Sequence, residues 1–385
     1  GDRVDVAPET AAAVRDRLAG VLFSQSADIL DRGIGGAADL DLGCRIALGF
    51  KRGPLDLMRD LGEAEATRIL GRFARERPGM PLPKRPLASY TRFLRHVQVD
   101  DLDGVKVVTL RRPEALNALH DEMTDEILEV IRAHERDAAV RGFVLTGDGA
   151  RAFCAGADVG RFPSLLGDAQ ASAQYARDCS RLLVHLDAME KPVVAALNGF
   201  ALGGGFELAM RCRSIVAMIT AWMQFPEISL GILPGIGAMV VPYRRWPGAA
   251  SLFHGMLRRA EKLTAGRAHE LGIVDALAAE PHALVAEAVA RVRALSGRPG
   301  GIAEGAVVVP DLAPVAPVAE DGTTLSAEAI ALMERAIRDA AAAPTLGEAL
   351  EVGYRAFGAS ACTAAAREGI AAFGERRRPD FKRTG

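Results

Sequence analysis

Cysteine is scarce in this chain, and the way it is scattered excludes two classes of protein. The five cysteines among 385 residues, Cys44, Cys154, Cys179, Cys212 and Cys362, are odd in number, widely spread and never paired as Cys-x-x-Cys. Such spacing indicates neither a disulfide framework nor a zinc site, and each thiol reads as a buried small hydrophobe. The seven histidines contain no His-Glu-x-x-His, so no metal is expected. Long apolar runs are absent as well: none reaches the ~18 residues of a membrane span. The first residues carry Asp2, Arg3, Asp5 and Glu9 in place of a signal-peptide pattern, so the expectation is a cytoplasmic protein with no membrane partner. Nor is there an excess of one charge. Lys and Arg number 47 against 49 Asp and Glu, a net charge of -2. The densest basic runs, Arg376-Arg377-Arg378 and Lys382-Arg383, sit near the C-terminus, where solvated charge is the ordinary reading, and no nucleic-acid partner is implied.

What is present is an ordinary globular composition, 49% hydrophobic and 25% charged, in a chain long enough for two domains. From Thr10 to Ile34 the apolar residues recur at helical spacing and stop at Gly33, Gly35 and Gly36. Further helical stretches follow over Asp41 to Leu48, Leu55 to Leu61 and Glu63 to Phe73, which predicts a small all-α domain over 1–76. Residues 77–86 hold four prolines within ten positions, cannot continue a helix, and make 77–89 a linker. Beyond it, over 90–385, strands and helices alternate. Strands are expected at Val105 to Leu110, Gly142 to Thr146 and Pro192 to Leu197, and helices at Asp121 to Arg136 and Ala169 to Met189, an α/β pattern with crossover connections. Helical patterns return over Ala283 to Leu295 and Leu325 to Phe373, separated by a Gly/Pro/Val-rich surface excursion over 297–317. No internal repeat is visible.

The chemistry concentrates in three segments. In the first, the apolar strand ending at Leu197 turns at Asn198-Gly199 and reaches Gly203-Gly204-Gly205, which opens an apolar helix and exposes backbone N–H groups with no Cβ in the way. Glu207 falls in the first turn of that helix among Phe206, Leu208, Ala209 and Met210, where an ionised carboxylate is costly without a task. A capping-box role is disfavoured because Gly204, three residues earlier, has no side chain to complete the box. No Lys-Ser/Thr follows the glycines and the last glycine of G-x-G-x-x-G is lacking. Gly235-Ile-Gly237 fails in the same way, so no dinucleotide fingerprint is found. In the second segment, Pro226-Glu227 and Pro234-Gly235-Ile-Gly237 set tight backbone around a second carboxylate, Glu227, which alone would be read equally well as a solvated loop acid. In the third, Phe153-Cys-Ala-Gly156-Ala157-Asp158 lets backbone amides approach a ligand. Cys154 lacks a histidine partner, which argues against a nucleophile.

Together with Arg111-Arg-Pro-Glu-Ala-Leu-Asn-Ala-Leu119, Leu263-Thr-Ala-Gly-Arg-Ala-His-Glu-Leu-Gly-Ile-Val274 and Glu368-Gly-Ile-Ala-Ala-Phe373, these segments resemble the crotonase (enoyl-CoA hydratase/isomerase) superfamily over roughly Tyr90 to Phe381. The resemblance implies a ββα spiral core with a C-terminal helical region, a coenzyme A thioester substrate and a homotrimer or hexamer. It further implies an oxyanion hole at the backbone N–H groups of Ala157 and Gly204, catalytic glutamates at Glu207 and Glu227, and substrate contacts at Ala115, Ala155, Asp158, Val159 and Gly160. Hydratases of the family carry both glutamates, whereas isomerases commonly keep only the acid matching Glu227. Hydration of a trans-2-enoyl-CoA in fatty-acid or related metabolism is therefore expected, ahead of isomerisation or thioester hydrolysis and of a non-catalytic assembly remnant. Two departures stand out: Arg213 where the family often has an acid, and Ala238 where a glycine is common. The segment Asp39 to Leu57 resembles the C-terminal domain of 3-hydroxyacyl-CoA dehydrogenases, as in fused dehydrogenase/hydratase proteins, to whose core Pro242-Tyr-Arg-Arg-Trp-Pro247 is similar. Their nucleotide-binding half is missing here, whether cut away or naturally lost, and Gly1 is compatible with a tag remnant. No NAD site is expected.

Overall fold

The structure, a computed structural model, describes residues 5–298 and 301–382. Gly1, Asp2, Arg3 and Arg383, and two positions of the 297–317 excursion, lie outside the described residues. The chain divides into two compact units, Gly1–Arg95 and His96–Gly385.

The first unit is helical: α1 (Pro8–Asp31), α2 (Ala37–Leu48), α3 (Pro54–Leu61), α4 (Glu63–Glu76) and the short α5 (Ala88–Thr91). Phe23 and Ala27 of α1 bury against Leu55 and Met58 of α3 and Ile69 and Leu70 of α4. Prolines open α1 and α3, where their missing N–H would have no partner. Gly53 before α3 has no side chain to cap it, and the Asp41 carboxylate of α2 takes over, accepting from Leu55 N at 2.7 Å and Asp56 N at 3.3 Å. Burial drives the Asp41 carboxyl up to about 6 against those bonds. The proline-rich stretch read as a linker is fastened down: the Tyr90 hydroxyl accepts from Lys84 N at 2.9 Å and Arg85 N at 3.0 Å and donates to Asp31 at 2.8 Å. Tyr90 is itself buried in the helical core. Residues 77–95 thus stay with the helical unit, and the second unit begins at His96, six residues beyond the sequence-based start at Tyr90.

In the second unit strands alternate between two sheets. The elements are β1 (Val97–Leu102), β2 (Val105–Leu110), α6 (Asp121–His134), β3 (Gly142–Gly147), β4 (Ala152–Cys154), α7 (Ala169–Cys179), α8 (Arg181–Ala188), β5 (Val193–Leu197), β6 (Phe200–Leu202), α9 (Gly204–Arg211), β7 (Ser214–Met218) and β8 (Trp222–Gln224). They continue with α10 (Val241–Arg245), α11 (Ala250–Arg259), β9 (Leu263–Thr264), α12 (Ala265–Glu270), β10 (Ala276–Ala278), α13 (Pro281–Leu295), α14 (Ala327–Ala342), α15 (Leu346–Ser360) and α16 (Ala364–Gly374). One sheet runs β1-β2-β3-β5-β7-β10, parallel except for the β1–β2 hairpin; the other runs β4-β6-β8-β9, parallel except for β8–β9. Each long strand (β3, β5, β7) is followed at once by a short one (β4, β6, β8) in the second sheet. This is the ββα spiral. The long strands are buried along their whole length, as parallel strands covered on both faces are.

The helical pattern over Leu325 to Phe373 resolves into three helices because three hydroxyls cap them: Ser326 to Ala329 N at 3.1 Å, Thr345 to Glu348 N at 3.1 Å and Thr363 to Ala366 N at 3.0 Å. The helix expected over Ala169 to Met189 likewise breaks at Ser180. The described part of the excursion forms no regular element, but Arg244 donates to Ala303 O at 3.1 Å and Arg258 to Ala313 O at 2.7 Å, which ties it to α10 and α11. Among the described residues no helix is long and apolar enough to cross a membrane.

The second sheet is held close to α9 by a glycine. A Cβ on Gly205 would lie 2.5 Å from Cys154 O and 2.8 Å from Cys154 Sγ, while one on Gly266 in α12 would meet nothing within 4 Å. Gly205→Ala should therefore lower the stability of the protein by about 1–3 kcal/mol, and Gly266→Ala should leave it unchanged or slightly raised. Urea unfolding monitored by circular dichroism measures both.

Candidate active site

The parallel pairing of β6 with β8 decides where the two glutamates meet. Gly203 N–H donates to Gln224 O at 2.9 Å, so the turn into α9 lies alongside the segment that leads to Glu227. Gly203 has φ +45°, and a Cβ there would fall 2.1 Å from Glu227 Oε1. Only glycine suits both the conformation and the contact.

Glu207, in the first turn of α9, is 2% exposed. Its carboxylate does not cap its own helix. Oε1 accepts from Ile236 N at 3.0 Å and Ala238 N at 2.8 Å, which gives the Pro234-Gly-Ile-Gly-Ala loop a task the sequence alone does not reveal. Ala238, a departure from the family's usual glycine, thus contributes its backbone, while the other departure, Arg213, donates to Arg298 O at 2.8 Å and Met189 O at 3.1 Å. Glu227 opens a short 3-10 turn. Its Oε2 is sealed from solvent with no hydrogen-bond partner among the described residues. Burial raises both carboxyls above the ordinary glutamate range: Glu207 against the two N–H groups that oppose the shift, Glu227 with the neighbouring Glu207 charge adding to it.

The segment at Ala157 reaches the same place by another route. Leu119 and Ala157 form a parallel bridge, with Leu119 N donating to Gly156 O at 2.8 Å and Asp158 N to Leu119 O at 2.9 Å. The buried Asn117 braces the turn, donating to Asp148 O and Ala152 O at 3.0 Å each. Ala157 N–H has no protein acceptor among the described residues. Gly204 N–H, at the first position of α9, is a donor its own helix cannot satisfy. The two segments are in close contact, since a Cβ on Gly204 would lie 3.5 Å from Ala157 N.

Glu207, Glu227, Ala157 and Gly204 line one pocket. Its remaining wall is largely apolar, with Phe162, Tyr175, Ile232, Leu233, Ile236 and Phe357. Motif reading missed these residues, because they come from the 3-10 turn Val159–Ser164, α7, α15 and the 231–236 loop, which only folding brings together. His120 also lines the pocket, and burial lowers its pKa to about 4, so its ring is neutral at neutral pH. The expected substrate contacts Ala115, Ala155, Asp158, Val159 and Gly160 do not line the pocket. Asp158 pairs with Arg112 at 3.2 Å and caps Gly160 N at 3.1 Å, Ala155 N bonds Leu116 O at 3.0 Å, and Val159 packs on the core around Phe357. Cys154 is fully buried with its thiol pushed up to about 12, a protonated core residue.

The family described as enoyl-CoA hydratase/isomerase matches residues 100–303, and the crotonyl-CoA hydratase of Syntrophomonas wolfei is 31% identical over 280 residues, covering 72% of this chain and 95% of that protein. The chain belongs to the enoyl-CoA hydratase/isomerase family. The mitochondrial enoyl-CoA hydratase of Pongo abelii is 32% identical over 278 residues, 72% of this chain and 83% of that one. An enoyl-CoA hydratase from Rhodobacter sphaeroides shares the crotonase fold with a TM-score of 0.59 at 24% identity, over 74% of this chain and 92% of that chain. The family match begins after the helical unit.

In an enoyl-CoA hydratase/isomerase with two such carboxyls, raised pKa values carry a stability cost of known sign. Below the ordinary glutamate value of about 4.3 folded and unfolded chains are both protonated; as pH rises the unfolded chain ionises first, so folded stability falls until the raised folded pKa is passed. Glu227→Gln removes the Glu227 share of this slope. Its stability relative to wild type should grow from about pH 5 to 9, read from urea midpoints at each pH; an advantage that shrinks as pH rises would contradict the upward shift.

Proposed function

We propose that this protein hydrates trans-2-enoyl-CoA thioesters to 3-hydroxyacyl-CoA in fatty-acid or related acyl-CoA metabolism. The observation that carries the reading is the meeting of two buried carboxyls of raised pKa with two unsatisfied backbone N–H groups in a single largely apolar pocket. The thioester carbonyl is received by the N–H groups of Ala157 and Gly204, which take up the negative charge that develops on oxygen as the enolate forms. One water is held between the glutamates. The two N–H groups on Glu207 favour its ionised form, and Glu227, whose Oε2 has no partner among the described residues, keeps the shared proton. Water adds to the β-carbon as it loses a proton to Glu207, and Glu227 delivers its proton to the α-carbon. No redox step is involved and hydration requires neither a metal nor NAD.

We extend the reading to the whole chain as the hydratase part of a bifunctional dehydrogenase/hydratase. In support, the described residues of the first unit are all-helical, as the resemblance of Asp39 to Leu57 to the helical C-terminal domain of 3-hydroxyacyl-CoA dehydrogenases implies. A cytoplasmic setting suits the five free cysteines. A trimer or hexamer suits the α14–α16 region, whose Phe373 is left 55% exposed; light scattering should report a multiple of three chains, and a clean monomer at micromolar concentration would remove this part of the reading.

The hydration itself is tested with crotonyl-CoA, following loss of the conjugated thioester absorbance. Glu207→Gln and Glu227→Gln should each slow the reaction by a factor on the order of 10² to 10⁴, and the double variant should lose much less than the product of the two. Should Glu207→Gln lose hydration while converting a 3-enoyl to a 2-enoyl thioester undiminished, isomerisation would become the better reading. Near-full hydration by that variant would exclude the two-carboxylate mechanism.

A further inference from the structure

At the edge of the pocket, two imidazoles and a carboxylate take no part in the hydration scheme. His96 lies just before β1 and is 7% exposed. His120 occupies the N-cap position of α6 without making a side-chain capping bond, and Glu122 follows in the first turn. The two rings meet edge to face, centroids 4.3 Å apart at 84°, and His96 Nε2 lies 3.0 Å from Glu122 Oε2. Nδ1 of both histidines is buried with no hydrogen-bond partner among the described residues. One ring nitrogen from each histidine and one Glu122 oxygen fall within 4.8 Å of one another.

A buried imidazole nitrogen left unpaired costs about 1–3 kcal/mol, and the unpaired His120 Nδ1 beside the His96 Nε2–Glu122 pair points to a missing partner. The partner is not the other ring, because the edge-to-face arrangement makes no hydrogen bond between them. We propose that His96, His120 and Glu122 bind a divalent transition-metal cation of the Zn²⁺ type. Two imidazole nitrogens and one carboxylate oxygen suit Zn²⁺, Co²⁺ or Ni²⁺ and disfavour Mg²⁺ and Ca²⁺, which take all-oxygen shells. A tetrahedral ion with arms of roughly 2.0–2.2 Å holds neighbouring ligand atoms roughly 3.3–3.5 Å apart. The His96–Glu122 pair at 3.0 Å is already near that spacing, and rotation of the exposed Glu122 side chain and of the His120 ring closes the rest. Asp121 and Glu122 in the first turn of α6 offset the positive helix end that would otherwise repel a cation. Three protein ligands leave a fourth position for water or for an oxygen or sulfur of a molecule in the pocket, which His120 lines. The spacing hides the site in sequence, since His96 stands in a different element from His120-x-Glu122.

The full chain, stripped with a chelator and titrated with Zn²⁺ in a calorimeter, should bind one equivalent. Co²⁺ in its place should give visible bands of a four-coordinate nitrogen/oxygen site. His96→Gln and His120→Gln should each weaken Zn²⁺ by about 10²-fold or more and abolish the Co²⁺ bands, given that loss of an outer-shell partner alone costs about 10–100-fold. Glu122 is exposed, so Glu122→Gln keeps the fold and should weaken Zn²⁺ by about 10-fold; it decides the matter if a histidine variant fails to fold. Absence of saturable Zn²⁺ binding, or binding that persists unweakened in Glu122→Gln or in the folded histidine variants, would overturn the site and leave a plain hydrogen-bonded His96–Glu122 pair.

Discussion

A carboxylate placed in an apolar wall must be held by something, and the way Glu207 is held organises the rest of the pocket. Its Oε1 takes two N–H donors, from Ile236 and Ala238, and those donors are available only because the 234–238 loop is irregular and spends no N–H on a strand. Turning the acid toward that loop fixes which way α9 presents its first turn. That orientation leaves Gly204 in close contact with Ala157, and it places the Gly203 backbone where Glu227 can lie against it. One interaction thus sets the hole, the base and the room for the second acid.

The two glutamates differ in what surrounds them, and the difference separates their roles. Both are raised by loss of water, the dominant cause in each case. Glu207 is partly compensated by the N–H groups of Ile236 and Ala238; Glu227, whose Oε2 has no partner among the described residues, has only its own backbone N–H to offset burial and feels the Glu207 charge as well. Two like charges sharing one dry space cannot both ionise at neutral pH, and the less supported one retains the proton. A pair in which one member accepts a proton while the other gives one away is what the proposed addition of water across a conjugated thioester requires.

How much of this is legible in the sequence depends on the length scale of the signal. The long strands β2, β3 and β5 and the helix α6 announce themselves through unbroken β-branched runs or helical periodicity. The short strands β4, β6 and β8 have three residues each, too few for any period, and with them goes the repeated ββα unit, so the chain reads as having no internal repeat when its structure has one. Glu207 stands out because a charge inside Phe-Glu-Leu-Ala-Met has no surface reading, and Gly203 to Gly205 because three successive glycines are costly unless a close approach requires them. Glu227 is ambiguous until the structure shows it against Gly203. Tyr175, Phe162 and Phe357 carry no signal at all, being ordinary core residues of helices far apart in sequence. The bonds that fix the Pro-rich stretch to the helical unit are invisible for the same reason: they depend on a tyrosine hydroxyl meeting an aspartate on another helix.

The loop that holds Glu207 is in turn held from one turn further along the same helix. Arg211, four residues after Glu207, has its side chain fully buried, pairs with Asp187 of α8 (Nε to Oδ1 2.8 Å) and donates to Ile236 O at 3.2 Å. Ile236 is therefore gripped on both sides of its Cα, N–H by Glu207 and C=O by Arg211, and both grips come from one face of α9. Burying the Arg211–Asp187 pair gains little net stability: burial raises the Asp187 carboxyl even beside the guanidinium, so desolvation outweighs the attraction there. What the pair supplies is position. A guanidinium locked on Asp187 cannot follow the loop if it moves, so the loop must stay where the guanidinium is, and the N–H groups of Ile236 and Ala238 remain aimed at the acid whether or not a substrate is present.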